Sequence, residues 1–213
     1  LRGIPARPSV DEAEFEHLAG QVLVNEWKRN AEMLVQAQEG TQAQRLENFN
    51  KARARIREVV VQLMAERQKL FRRMQIAKLS AQVRELINMQ VKTQNLTVSL
   101  PALTPQQRDQ FALSAIEDQA DVQRLYYQLV AALDDVSTWG GQAGAGAGAG
   151  LRILRAAQVD QELKSAGTQL AKAEFLGAGK AQQSVVRGLQ ALLDKLEETQ
   201  GLIDSDREAA LKM

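Results

Sequence analysis

Sixty consecutive residues, 41–100, lie between Gly40 and Pro101 without a glycine or a proline. Within them Leu46, Phe49, Ile56, Val60, Leu63, Leu70, Met74 and Ala77 recur at alternating steps of four and three. Such a repeat keeps one stripe of a helix against a neighbour, so it predicts a single helix over 42–97, about 80 Å long and packed along its length. Arg53 and Arg67 fill the two vacant places of the repeat, two heptads apart. Past Ala77 the stripe moves to Ile76, Leu79, Val83 and Leu86, a change of phase that predicts a different contact face or partner helix.

Start and stop signals divide the rest. Ser9 with Glu12 caps a helix over 10–39, whose early acids Asp11, Glu12, Glu14 and Glu16 suit the positive end of the helix dipole. Gly40 offers a left-handed stop. Thr41 and Gln44 repeat the capping signature at once, compatible with a tight hairpin or with a kink in one rod. Thr104-Pro105-Gln106-Gln107 opens a third helix whose stripe is Ile116, Val122, Leu125, Leu129, Leu133 and Val136. The short connection before it folds that helix back antiparallel.

Residues 143–150 are four Ala-Gly pairs. Alternate glycines each cost a helix about 1 kcal/mol relative to alanine, so 140–150 read as a linker. A natural linker, an engineered replacement for a longer loop and a filler for unassigned sequence are the three origins of such a tract. Beyond it, 151–213 read as a helical hairpin turning at Gly177-Ala178-Gly179, with Val185, Leu189, Leu192, Leu196 and Ile203 on its second arm and a short last helix capped by Ser205 and Glu208. The expected organisation is therefore a long antiparallel helical bundle over 1–139, the linker, and the hairpin: an all-α, elongated bundle or coiled coil.

Aromatic residues are only 4% of the chain while alanine, leucine, valine and glutamine abound, which suits aliphatic seams between helices. There is no cysteine and a single histidine, His17, which removes thiolate chemistry and every multi-histidine constellation. The paired carboxylates Glu12/Glu16 and Asp118/Asp121 have helical spacing but no histidine partner, and read as solvated. No phosphate loop, dinucleotide fingerprint or nucleophile elbow is present, so no catalytic residue, cofactor or metal is expected and the chain reads as non-enzymatic. Trp27, Trp139 and the Tyr126-Tyr127 pair read as anchors between helices, and the two tyrosines cannot share one seam. No apolar run has the length of a membrane span, and with Leu1 at the start the sequence reads as a portion of something larger.

The formal charge of +1 hides a segregation. Residues 9–39 carry two basic and seven acidic groups, 45–84 eleven and three, and 101–139 two and six, while 151–213 carry nine of each. Lys51, Arg55, Arg57, Lys69, Arg72 and Arg73 form a candidate basic surface that could neutralise phosphates or meet an anionic membrane. The acidic flanking segments answer it within one bundle, and aromatics are not interleaved with it as single-stranded nucleic acid requires, so nucleic acid is the weaker reading. Arg53 and Arg67 read as seam residues that fix register by pairing with facing carboxylates.

Arg84-Glu85-Leu86-Ile87-Asn88-Met89-Gln90 leading into Leu103-Thr104-Pro105-Gln106-Gln107-Arg108, together with Gly177-Ala178-Gly179-Lys180-Ala181-Gln182-Gln183, resembles Gln- and Ala-rich coiled-coil segments of large, membrane-anchored, poorly characterised bacterial envelope proteins. The likeness covers 84–136 and 160–200. It implies an extracytoplasmic scaffold beside a membrane protein, which favours the cell envelope over the cytoplasm, and it transfers no catalytic residue. The expected function is a structural module that assembles or spaces protein partners or copies of itself within a membrane-tethered assembly. The alternatives are an electropositive module using 51–73 on anionic lipid or nucleic acid, and an adaptor whose 151–213 hairpin binds a partner peptide.

Overall fold

The computed structural model of the chain describes residues 25, 28–29, 31–35, 38 and 40–211, with side chains described as far as residue 203. The expected cap at Ser9, Trp27 and the Glu12/Glu16 pair lie outside those described residues, and the side chains of the expected cap at Ser205 and Glu208 lie beyond the described side chains. Every regular element among them is helical: α1 Gln42–Ser99, a 3-10 turn Leu100–Ala102, α2 Pro105–Ser137, α3 Gln142–Ala156, α4 Val159–Ala171 and α5 Phe175–Leu211. The protein is an all-α helical bundle, with 58 residues in α1 alone. The chain divides into two compact units, Leu1–Lys69 and Leu70–Met213, rather than at the Ala-Gly tract.

In the first unit α1 begins as its sequence predicts. Gly40 takes φ +110°, which stops a helix arriving from residue 35, and so excludes one uninterrupted rod. The Thr41 backbone N–H donates to Gln44 Oε1 at 2.9 Å and the Gln44 N–H to Thr41 Oγ1 at 3.4 Å, a reciprocal capping box.

The stripe read from the sequence is covered only in part: Leu63, Leu70 and Ala77 are half-buried, but its members nearer the start of α1 are not. Ala52 is buried and Asn48, Arg55, Val59 and Leu63 are half-buried, whereas Leu46, Phe49, Ile56 and Val60 are exposed. Val59, Val60 and Val61 lie side by side, so the apolar arc is broader than a seam. Arg53 and Arg67, expected in a seam, are exposed with the displaced stripe.

In the second unit, the part of α1 from Leu70 onward, α2, the α3–α4 pair and α5 run up, down, up and down. Antiparallel pairing of α1 with α5 is fixed by Arg84–Glu197 at 2.6 Å near one end and Gln182–Thr97 at 3.1 Å near the other. The predicted change of stripe in α1 is real: Ile76, Leu79, Val83 and Leu86 are all buried here. They pack with Val122, Leu129, Leu133 and Val136 of α2 and Val185, Leu189, Leu192 and Leu196 of α5 in one core cluster. Trp139 packs against that cluster and stacks on Phe71, ring centroids 5.6 Å apart. Tyr126 is buried and Tyr127 is exposed, dividing the pair between core and surface.

The reversal into α2 is held by an arginine. Thr104 Oγ1 bonds the Gln107 side chain at 2.9 Å, Pro105 occupies the first turn, and Arg108 donates to the carbonyls of Leu100, Pro101 and Leu103 at 3.2, 3.4 and 3.0 Å. One guanidinium thus satisfies the carbonyls that the end of a helix leaves over.

The Ala-Gly tract is a helix and not a linker. Residues 142–156 form α3, with Ala143, Gly144, Gly146, Ala147, Gly150, Leu151 and Leu154 buried at helical spacing. The glycines lower helix propensity, yet they let neighbouring elements approach in a way a side chain would forbid. A Cβ built on Gly146 would sit 2.3 Å from Thr199 Oγ1, one on Gly150 2.6 Å from Leu192 Cδ1, and one on Gly144 1.7 Å from the Trp139 carbonyl oxygen. Close packing of α3 on α5 and of its first turn on the preceding loop offsets the propensity cost.

Two further boundaries differ from expectation. The first arm of the expected hairpin, running from Leu151 toward the turn at Gly177, breaks at Gln158, which takes a left-handed φ of 53° between α3 and α4. The reversal expected at Gly177–Gly179 occurs earlier, at Ala173 with φ 58°, where the Glu174 N–H donates to the Gln169 carbonyl at 2.8 Å. Gly177 lies inside α5, where a Cβ would come 2.5 Å from Gln169 Oε1, so this glycine serves close approach and not the turn. The expected separate last helix is a continuation of α5 to Leu211.

Candidate functional site

The basic stretch is divided between the units: Lys51, Arg53, Arg55, Arg57, Arg67 and Lys69 belong to the first, Arg72 and Arg73 to the second. Within the first, the lysines are occupied by near neighbours. Lys51 Nζ lies 2.7 Å from Glu47 and Lys69 Nζ 2.7 Å from Glu66, each pair on successive turns of α1 and well exposed. The Lys51 hydrogen bond and its positive charge hold the Glu47 carboxyl below its ordinary value. Exposed pairs of this kind contribute little to stability, because solvent screens them and ordering two long side chains costs entropy.

Arg53, Arg57 and Arg67 are exposed, and no carboxylate among the described residues pairs with them. With 3.6 residues per turn, Leu46, Phe49, Arg53, Ile56, Val60, Met64 and Arg67 fall within an arc of about 80° on α1. The apolar members are open: Leu46 is 63% exposed, Phe49 55%, Ile56 45%, Val60 45% and Met64 67%. This is a contiguous apolar stripe with cations set into it. Arg72 and Arg73 in the second unit are half-buried, Arg72 reaching toward Gly141 at the entry to α3.

The second unit contains a layer that the sequence reading missed. Gln90 of α1 and Gln119 of α2 exchange amide hydrogen bonds, each Nε2 donating to the other's Oε1 at 3.1 Å. Gln182 of α5 donates from Nε2 to Gln119 Oε1 at 2.8 Å and to Thr97 Oγ1 at 3.1 Å, and Thr97 donates onward to the Thr93 carbonyl at 2.8 Å. All five side chains are buried, and Gln182 Oε1 is without a partner. The layer separates the main core from a smaller cluster of Leu100, Ala115, Leu170, Phe175 and Ala178 at the end of the bundle.

The missed signal lay in the spacing. Gln119 stands between Ala115 and Val122, Gln182 between Ala178 and Val185, and Gln90 follows Leu86 by four, so all three occupy core steps of their helices. Buried neutral amides satisfied by one another admit few alternative alignments, because a slip of one turn strands several of them. Chemically the layer offers no nucleophile and no titratable group.

On the outer face of α2 and α4, Tyr127 donates to Asp160 Oδ1 at 2.8 Å and Lys164 to Asp160 Oδ2 at 2.7 Å. The Lys164 bond, then the Tyr127 bond, lowers the pKa of Asp160, while Lys164 is raised in return. Tyr126, inside, is pushed up to about 12 by burial and then by the Asp160 charge. A shallow groove lined by Ala120, Gln123, Arg124, Tyr127, Gln128 and Ala131 lies beside this cluster and is open to solvent. Asp121 pairs with Arg124 at 3.0 Å, and no cluster of three metal-ligating side chains occurs among the described residues. No helix among them is long and apolar enough to cross a membrane.

No family model, curated protein or solved structure matches this chain.

Proposed function

We propose that the protein is a non-catalytic helical scaffold: a bundle that holds α1 in place so that its 42–69 segment can bind another protein. The observation that carries this reading is the open apolar stripe Leu46, Phe49, Ile56, Val60 and Met64 with Arg53 and Arg67 set among its residues. Exposing five large apolar side chains in line has a solvation cost that contact with a partner removes, at roughly 25 cal/mol per Å² of apolar surface covered. The amide layer supports the same reading, because it fixes the alignment of the bundle without offering chemistry. Membership of a membrane-tethered assembly in the cell envelope, and self-association, belong to this proposal as its setting.

Photo-crosslinking in cells that make the protein tests it. A photoreactive side chain is placed at Phe49 on the stripe, and at Leu113 and Leu176, which are 64% and 78% exposed on the bundle. A scaffold gives protein adducts of discrete mass from at least one position. Adducts to nucleic acid or lipid at Phe49, or no adduct from any position, would replace the scaffold by the electropositive alternative or remove it altogether.

A further inference from the structure

We propose that two copies of the chain exchange α5: the reversal between α4 and α5 straightens, and each copy's α5 takes the place of the other's in the second unit. This gives the self-association of the scaffold reading a mechanism, and it does not rest on the 42–69 stripe. The hinge carries the argument. α4 ends in two hydrogen bonds, from the Glu174 N–H to the Gln169 carbonyl at 2.8 Å and from the Ala173 N–H to the Leu170 carbonyl at 3.0 Å, the pattern that ends a helix through a left-handed residue. Glycine ordinarily fills that position; here it is Ala173 at φ 58°, whose Cβ crowds the following carbonyl. Nothing in Leu170-Ala171-Lys172-Ala173-Glu174-Phe175 breaks a helix, for it has no glycine or proline, and alanine, lysine and glutamate are good helix formers. The local sequence therefore favours the straight form, in which 159–211 are one helix about 80 Å long, over the closed turn. Gln158 is left-handed as well, but the chain does not reverse between α3 and α4, so straightening there frees no helix.

A second copy is the occupant that fits the place α5 leaves. Detached, α5 carries Val185, Leu189, Leu192, Leu196 and the Gln182 amide into water, all of them fully buried in the closed chain. The place it vacates is shaped for those residues: Thr97 and Gln119 accept from Gln182 at 3.1 and 2.8 Å, Gly146 makes room for Thr199, and Gly150 for Leu192. The α5 of another copy restores each of these contacts, and Arg84–Glu197 at 2.6 Å with them. Closed monomer and exchanged dimer then differ only at the hinge and in their dependence on concentration, the condition under which identical elements change places. Each dimer releases two left-handed alanines, and every residue in the argument lies in the second unit.

The test uses the full chain, which has no cysteine, as the variant Arg84→Cys/Glu197→Cys. It is concentrated in mild denaturant so that helices can exchange, returned to buffer, and separated by size exclusion with light scattering. A dimer fraction is expected beside the monomer. A short bismaleimide should join the two cysteines within one chain in the monomer and between chains in the dimer, as read on a denaturing gel. Ala173→Gly and Ala173→Asn suit the left-handed turn better and a helix worse, so each should lower the dimer association constant at least about tenfold with helix content unchanged. Ala171→Gly, helical in both forms, should leave that constant nearly unchanged. Absence of a dimer at the highest concentration reached, a dimer whose cysteines bridge only within chains, or equal effects at Ala171 and Ala173 would overturn the exchange. A chain that stays monomeric and still gives protein adducts from Phe49 would refute the exchange and leave the scaffold standing.

Discussion

Two buried glutamines in the same layer have different energetic weight. Gln119 holds both neighbours, accepting from Gln90 and Gln182 and donating back to Gln90. Gln119→Leu leaves the Gln90 amide without its partner, at about 1–3 kcal/mol, and takes from Gln182 one of its two bonds, so chemical denaturation should show a loss of about 1–3 kcal/mol or somewhat more. Gln182 already has an unpartnered oxygen, and without it Gln119 still accepts from Gln90 while Thr97 still donates to Thr93. Gln182→Leu should therefore change stability by less than about 1 kcal/mol, or raise it. Tyr126 adds a pH signature. Its folded pKa of about 12 lies above the ordinary 10.0, so its stabilising contribution is full below pH 10 and declines as pH rises toward 12. Tyr126→Phe should remove that share of the alkaline loss and leave melting at pH 7 nearly unchanged. Much at this scale was visible in the residues themselves, including the capping box at Thr41 and Gln44 and the split of Tyr126 from Tyr127. The amide layer was not, because a glutamine at a core step looks like any surface glutamine until three helices bring their amides together.

At the scale of elements, α3 shows why a local rule misled. Propensity counts what a glycine loses in a lone helix, whereas here three glycines sit where a side chain would collide with Thr199, Leu192 or the Trp139 carbonyl. The prediction separates the two effects. Gly148→Ala meets only ordinary contacts and Gly167→Ala meets nothing within 4 Å, so each should raise stability by up to about 1 kcal/mol. Gly144→Ala runs into backbone and should destabilise despite the better propensity, and Gly146→Ala should do so through Thr199. Thermal melts of the four variants are the check, and uniform stabilisation would mean that the tract is not packed as described. The stripes of α2 and α5 and the phase change in α1 were legible because leucine and valine leave no second choice of face. The seam over 42–69 was not, since Val59, Val60 and Val61 together allow adjacent faces, and the chain covers the one carrying Ala52.

Across the whole molecule, a tract that composition assigns to a tether instead supplies part of a wall of the second unit. That changes what the chain can do: with α3 packed on α5 and joined to α4, the hairpin expected over 151–213 is part of the bundle and not a separate adaptor arm. α3 thus closes the bundle. Native-state hydrogen exchange read at the amides of residues 145–150 tests it most directly, because helix amides packed in a core exchange only through larger openings. Protection there should be comparable with that of Leu189–Leu196 in α5. Exchange at the rate of an unstructured chain, with α5 protected, would show that the tract is a linker and contradict it.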